Sequence, residues 1–178
     1  MAERRQDHSV DGRSARCYTT QSNASDEANI LAHSDKSILM RPIYETQKDR
    51  DGEQRLANRV ASAWGLEARA NPKMYPIDYT FVSGSQVRGF GEIKIRTHPY
   101  GRFQTYILSA HKVSDAKNLA DTTGKKVLLI VQWSCGSIGT LDLSEPPDSV
   151  GWGGRADRAD SQDMEPVCHY RIERFSLR

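Results

Sequence analysis

The stretch from Ile77 to Thr97 most constrains the fold. Ile77-Asp78-Tyr79-Thr80-Phe81-Val82 is rich in β-branched and aromatic residues and reads as a strand. Ser83-Gly84-Ser85-Gln86 is a turn signal, and Val87 to Thr97 returns as a second strand. Side chains alternate faces along a strand, so Ile93 and Ile95 share one face while Glu92, Lys94 and Arg96 share the other. A hairpin turning about Ser85 sets Asp78 opposite Glu92. Directly opposed residues have Cβ atoms roughly 4.5–5.5 Å apart, and like charges so placed are destabilising. The pair therefore calls for a compensating positive charge. A hard divalent cation such as Mg²⁺, which prefers oxygen ligands, supplies it.

Other elements gather around this hairpin. Asp51 is expected to cap a helix, with Gln54 three residues on as its reciprocal partner. Leu56, Val60 and Trp64, beside Ala57 and Ala61, form one apolar helical face, and Gly65 ends it. A short strand is expected at Ala68–Ala70. A second helix is expected over roughly Ser109 to Asp121, ending near Gly124. Lys125 to Trp133 is nearly continuously apolar, the pattern of a strand buried on both faces, and Ile138 to Leu143 is the last strand of the core. The order is helix, three strands, helix, two strands.

Residues 1–40 are polar and aperiodic and read as a flexible N-terminal arm, with Ile38-Leu39-Met40 anchoring its end. The core is placed at 41–145. Residues 146–178 form a C-terminal extension, in which Pro146-Pro147 breaks the pattern, Gly151-Trp152-Gly153-Gly154 reads as a loop, and Val167 to Phe175 as an edge strand. Trp152 either stacks on a base or packs on the core, packing being the more ordinary role.

The chain of 178 residues, 37% hydrophobic, fits one domain with polar excess. Net charge is only +2, which says little about nucleic acid. Its distribution says more: Arg88, Lys94, Arg96, Arg102 and Lys112 stand against Glu92 alone, with His98 and His111 beside them. A solvated strand and helix face would look the same. Three cysteines at long spacing, without a C-x-x-C, argue against a disulfide framework or zinc knuckle and for a reducing, cytoplasmic or other intracellular setting. The longest aliphatic run, Val127 to Val131, is far short of the roughly 20 residues of a membrane span, so no membrane role is expected. Arg4 and Arg5 are followed by no apolar run of the signal-peptide kind.

The chemistry concentrates at Asp78, Glu92 and Lys94. Period two puts the Lys94 ammonium on the carboxylate face, where a metal-bound phosphate needs positive charge as its oxygens gain charge. A lysine there also orients, or helps deprotonate, an attacking water. Glu53, on the apolar stripe of the first helix, is placed to reach the same site, bind a metal through water or complete a second metal position. An exposed, salt-bridged strand face is the plain alternative for the triplet, and a helix start that favours a carboxylate is the plain alternative for Glu53.

The stretch from Glu53 to about Leu143 resembles the PD-(D/E)XK nuclease superfamily. The likeness rests on Glu53 in the first helix, Pro76-Ile77-Asp78 in one strand and Glu92-Ile93-Lys94 in the next. Pro76 stands two residues before Asp78 rather than adjacent to it. The resemblance implies an α/β, restriction-endonuclease-like core, a central mixed sheet flanked by helices in αβββαββ order. It implies Asp78, Glu92 and the Ile93 carbonyl as ligands of Mg²⁺ or Mn²⁺, Lys94 as the catalytic lysine and Glu53 as an accessory acid. The implied activity is metal-dependent DNA phosphodiester hydrolysis; the compact, single-domain layout is similar to phage- or virus-encoded members, and homodimers are common in the family. Tyr106 to Lys112 resembles the start of the family's second helix. Arg88, Arg96, Arg102, Gln104 and Lys112 would hold nucleic acid, with branched or single-stranded DNA as the expected partner. A non-catalytic nucleic-acid-binding or assembly protein that retains the fold stays open at this point.

Overall fold

In the computed structural model, which describes residues 46–154 and 164–178, the first helix, α1, spans Gln47–Ala63. It starts a turn earlier than expected. Thr46, not Asp51, is the cap: its hydroxyl accepts from the Asp49 N–H at 3.2 Å, while the Asp49 carboxylate accepts from the Thr46 N–H at 2.9 Å. This reciprocal box satisfies two otherwise orphaned donors. Asp51 lies inside the helix and accepts from Gln47 Nε2 at 2.7 Å. The expected arm at 1–40, with Ile38-Leu39-Met40, lies outside the described residues.

Strands β1 (Glu67–Ala70), β2 (Tyr79–Ser83), β3 (Gln86–Ile95), β5 (Lys126–Gln132), β6 (Ile138–Asp142) and β9 (Ser176–Leu177) form one sheet in the order β1-β2-β3-β5-β6-β9. Only β3 and β5 are parallel; the other neighbours are antiparallel. The chain crosses from β3 to β5 through β4 (Thr105–Ser109) and helix α2 (Ala110–Thr123). The expected mixed central sheet flanked by helices is present.

The sheet is covered on both faces. On one, Leu56, Ala57, Val60 and Ala61 of α1 pack on Tyr79, Phe81, Ile93 and Ile130. On the other, Val113, Ala116 and Ala120 of α2 join Phe90, Val127, Leu129 and Val131. This explains the unbroken apolar run of β5. Each fully buried aliphatic side chain contributes roughly 1.5–3 kcal/mol, so β5 anchors both layers.

A second sheet, β4-β8-β7, adds to the α2 face, with β7 at Ser149–Gly154 and β8 at Met164–Arg171. Three local expectations change here. Thr105–Ser109 is a strand rather than the start of a helix. Residues 149–154 are a strand rather than a loop. And β8 is central, paired with both β4 and β7, rather than an edge. The glycines suggested a loop, yet they serve packing: a Cβ at Gly153 would lie 2.8 Å from Val167 Cγ2. Trp152 is 74% exposed, so it does not pack in the core. The extension from 146 is thus tied to the core through β8 and β9.

The hairpin register bears on everything that follows. Ser83 pairs with Gln86 and Val82 with Val87, leaving Gly84-Ser85 as a two-residue turn with Gly84 at φ 60°. Phe81, however, pairs with Gly89, Thr80 with Phe90 and Tyr79 with Gly91. Arg88 is therefore an extra residue on β3, a β-bulge. The turn lies between Gly84 and Ser85 rather than about Ser85, and the bulge makes up the step. Carried one residue beyond Tyr79–Gly91, the register sets Asp78 opposite Glu92.

Candidate active site

Phe90 points to the α2 face, so Glu92 and Lys94, spaced by two along β3, point there as well. Asp78 immediately precedes β2, and Lys112 sits in the first turn of α2. The four side chains converge. Asp78 Oδ2 accepts from the Ile93 N–H at 3.0 Å and from Lys94 Nζ at 3.3 Å. Lys94 Nζ also donates to the Ile93 carbonyl at 2.8 Å and lies 2.7 Å from Glu92 Oε1. Lys112 Nζ donates to Glu92 Oε2 at 3.0 Å and to the Pro76 carbonyl at 2.8 Å, and lies 3.8 Å from Asp78 Oδ1.

Glu92 is fully buried, the one buried charged residue among those described. A buried carboxylate is costly unless paired, and two ammonium groups pair this one. Its Oε1 nevertheless makes no hydrogen bond. Lys94 approaches it at 2.7 Å as an ionic contact, while the same ammonium donates to Ile93 O and Asp78.

The electrostatics follow from this packing. Burial alone would raise the Asp78 carboxyl, but the Lys94 charge, the Ile93 N–H and the Lys112 charge outweigh it and hold it below the usual range. Burial would likewise depress Lys94; the charges of Glu92 and Asp78, with a smaller contribution from Glu53, reverse that and raise it. Lys94 is a firmly protonated ammonium.

A hard cation fits this donor set. Glu92 Oε1 is a buried oxygen without a hydrogen bond, Asp78 Oδ1 is engaged only at 3.8 Å, and the Ile93 carbonyl adjoins both. Among the described residues no three His, Cys, Asp or Glu side chains converge to hold a metal. Two carboxylates and a carbonyl would leave the remaining positions to water or substrate oxygens, as Mg²⁺ favours. Glu53, half-buried in α1, acts electrostatically on Lys94 and is not gathered into a three-carboxylate group with Asp78 and Glu92.

The other sequence candidates are dispersed. Arg88 occupies the bulge, four residues or roughly 13 Å of strand from Glu92. Arg96 donates to the Tyr106 hydroxyl and lies over that ring, 4.9 Å from its centroid. Arg102 lies 5.5 Å from the Phe103 centroid. Gln104 is exposed just before β4, its carbonyl accepting from the Ile172 N–H. Lys112, expected to approach the site or a phosphate, stands among the carboxylates. The pairing of Arg96 with Tyr106 and the Pro76 carbonyl as an acceptor for Lys112 were not foreseen; both depend on β4 and α2 folding back over β3, which no local pattern encodes.

Residues 39–177 match the family model described as "Phage putative PDDEXK endonuclease". No curated protein gives a significant match. Among solved structures, the chain is similar to Hjc, a Holliday junction resolvase from Archaeoglobus fulgidus, with 16% identity and a TM-score of 0.40 over 52% of this chain and 73% of that one.

Proposed function

Because this chain belongs to the phage PDDEXK endonuclease family, we propose that it hydrolyses DNA phosphodiester bonds with a divalent cation held by Asp78, Glu92 and the Ile93 carbonyl. The convergence of Asp78 and Glu92 on Lys94, within 3.3 and 2.7 Å of its ammonium, carries this reading. Mg²⁺ or Mn²⁺, when bound, lowers the pKa of a coordinated water and neutralises phosphate charge. The residues divide the remaining work. Asp78, held ionised by its neighbours, fixes one side of the site and is itself oriented by the Ile93 N–H. Glu92 supplies a buried oxygen already stripped of water. Lys94, a protonated ammonium, donates to a phosphate oxygen and to the attacking water rather than taking its proton, and so stabilises charge that develops in the transition state. Lys112 adds a second cation on the α2 side, and Glu53 tunes Lys94.

The test incubates the full chain with supercoiled, single-stranded and branched DNA, in Mg²⁺, Mn²⁺ or EDTA, beside Asp78→Ala and Lys94→Ala. Cleavage that needs the metal and is lost in both variants is expected. Absence of metal-dependent cleavage on every substrate sinks the activity, and cleavage that persists in both variants sinks the site.

A further inference from the structure

A cleft of about 580 Å³ opens beside the carboxylates, lined in part by Arg96, His98, Phe103, Tyr106, Ser109 and Glu165. Arg96 follows Lys94 by two residues, just past the end of β3, so the cleft begins roughly 7 Å along the chain from the Lys94 position. Its floor is apolar: Leu108, Trp133 and Val167 line it and are buried in the core. Its mouth is not. Phe103 is 54% exposed, its ring edge-on to His98 at 5.0 Å and with the Arg102 guanidinium 5.5 Å from its centroid. On the other side the Arg96 guanidinium lies over Tyr106. At the far end Glu165 accepts from Ser109 Oγ at 2.9 Å, setting a carboxylate and a hydroxyl together in the cleft.

One exposed aromatic ring, Phe103, with guanidinium groups at the mouth and an apolar floor beneath, suits a flat ring attached to a polyanion. The cations at the mouth complement a phosphodiester backbone, and the carboxylate can accept from an exocyclic amine. A base within a duplex offers its neighbours, not a protein, its π-faces; only an unpaired or extruded base can enter such a cleft. We infer that this cleft binds one unpaired nucleobase next to the phosphate that is cut, so that the enzyme favours DNA carrying an unstacked nucleotide at the cleavage position. This inference rests on Asp78, Glu92 and Lys94 being the cleavage site; its test does not.

Two oligonucleotide duplexes, identical except that one carries an unpaired 2-aminopurine and the other pairs that position, are titrated with the full chain in Ca²⁺ and followed by anisotropy and by 2-aminopurine emission. The unpaired probe should bind more tightly and change its emission. Phe103→Ala should weaken its binding by about tenfold, as expected for loss of one base–aromatic stack, without affecting the paired duplex; Phe103→Trp should retain the preference. Phe103 is mostly solvent-exposed, so both variants should keep the wild-type thermal transition. Equal affinity for the two probes, absent binding included, overturns the inference, as does a preference that survives Phe103→Ala. A dimer that Phe103→Ala dissociates, with nucleic-acid affinity unchanged, also overturns it and assigns the cleft to a second copy of the chain. Cleavage in Mg²⁺ is scored separately. Equal cutting of both probes with no Phe103 effect on binding leaves the nuclease reading intact while removing the base site. A Phe103-dependent binding preference without any cutting does the reverse.

Discussion

The Asp78 carboxylate accepts the Ile93 backbone N–H at 3.0 Å, one strand over from its own backbone. A side chain proposed to hold a metal therefore also continues the hairpin's hydrogen bonding beyond the last β2 pair. The two roles separate by substitution. Asp78→Asn keeps an acceptor for Ile93 and removes the charge; it should fold as the wild type does and lose cleavage by on the order of a hundredfold or more. Asp78→Ala removes both, and denaturant unfolding should show an added loss, relative to Asp78→Asn, of about 0.5–1.5 kcal/mol for the hydrogen bond that Asn keeps. Equal stability of the two variants would refute the structural half of the role.

Lys112 bridges the Pro76 carbonyl and Glu92. Lys112→Met leaves Glu92 with Lys94 as its remaining cation. In EDTA the variant should melt below the wild type by an amount corresponding to about 1–3 kcal/mol, less than for a fully buried pair because Lys112 is one-third exposed. Added Mg²⁺ should narrow the gap, since a ligand that binds only the folded state stabilises it. A gap that metal leaves unchanged argues against a cation at Glu92.

Arg88 invites a deletion. Without that residue the bulge closes and the ladder becomes regular: Gly89 follows Val87 and still faces Phe81, so Glu92 still falls opposite Asp78 and the faces of β3 are kept. Deletion of Arg88 should therefore keep the soluble fold and metal-dependent cleavage, as should Arg88→Ala; loss of cleavage on deletion alone, read on supercoiled DNA, would show that the twist the bulge adds aims the carboxylates. Salt-dependent affinity measured on Arg88→Ala also reports whether the side chain holds phosphate.

Cys135 is exposed, and contacts with Ser137 and the Tyr100 N–H hold its thiol down at about 7. The reactive thiolate fraction is small below that pH and rises through it. Iodoacetamide labelling followed by peptide mass spectrometry should show Cys135 modification increasing with a midpoint near pH 7, shifted upward in Ser137→Ala. Buried Cys168, which burial pushes up, should label slowly across the same range.

The site was more legible than its surroundings. Alternation along Val87–Thr97 placed Glu92 and Lys94 on one face, and β5 announced itself by an apolar run that only two-sided burial explains. The opposition of Asp78 and Glu92 was reached through a turn centred one half-step off; a bulge at Arg88 supplies the difference, and bulges leave no reliable local signature. The first cap was misplaced because Asp51 and Gln54 imitate a capping box one turn inside the true one at Thr46 and Asp49. Strand β7 was hidden by its glycines, whose purpose becomes visible only when Val167 lies against Gly153. The approach of Lys112 to Glu92 depends on how α2 docks, a tertiary fact with no period to read.

Glu92 is surrounded by core, and its position could be filled by a hydrocarbon. Replacing Glu92, Lys94 and Lys112 together with Asp78, which the two lysines also pair, by apolar residues of similar size would remove the desolvation of four charges, an exchange that in other proteins is often neutral or gains about 1–4 kcal/mol. The most stable version of this fold is then an inert one. Selection for stability alone would erase these charges, so under the proposed function the fold sits below its stability optimum because of the chemistry assigned to it.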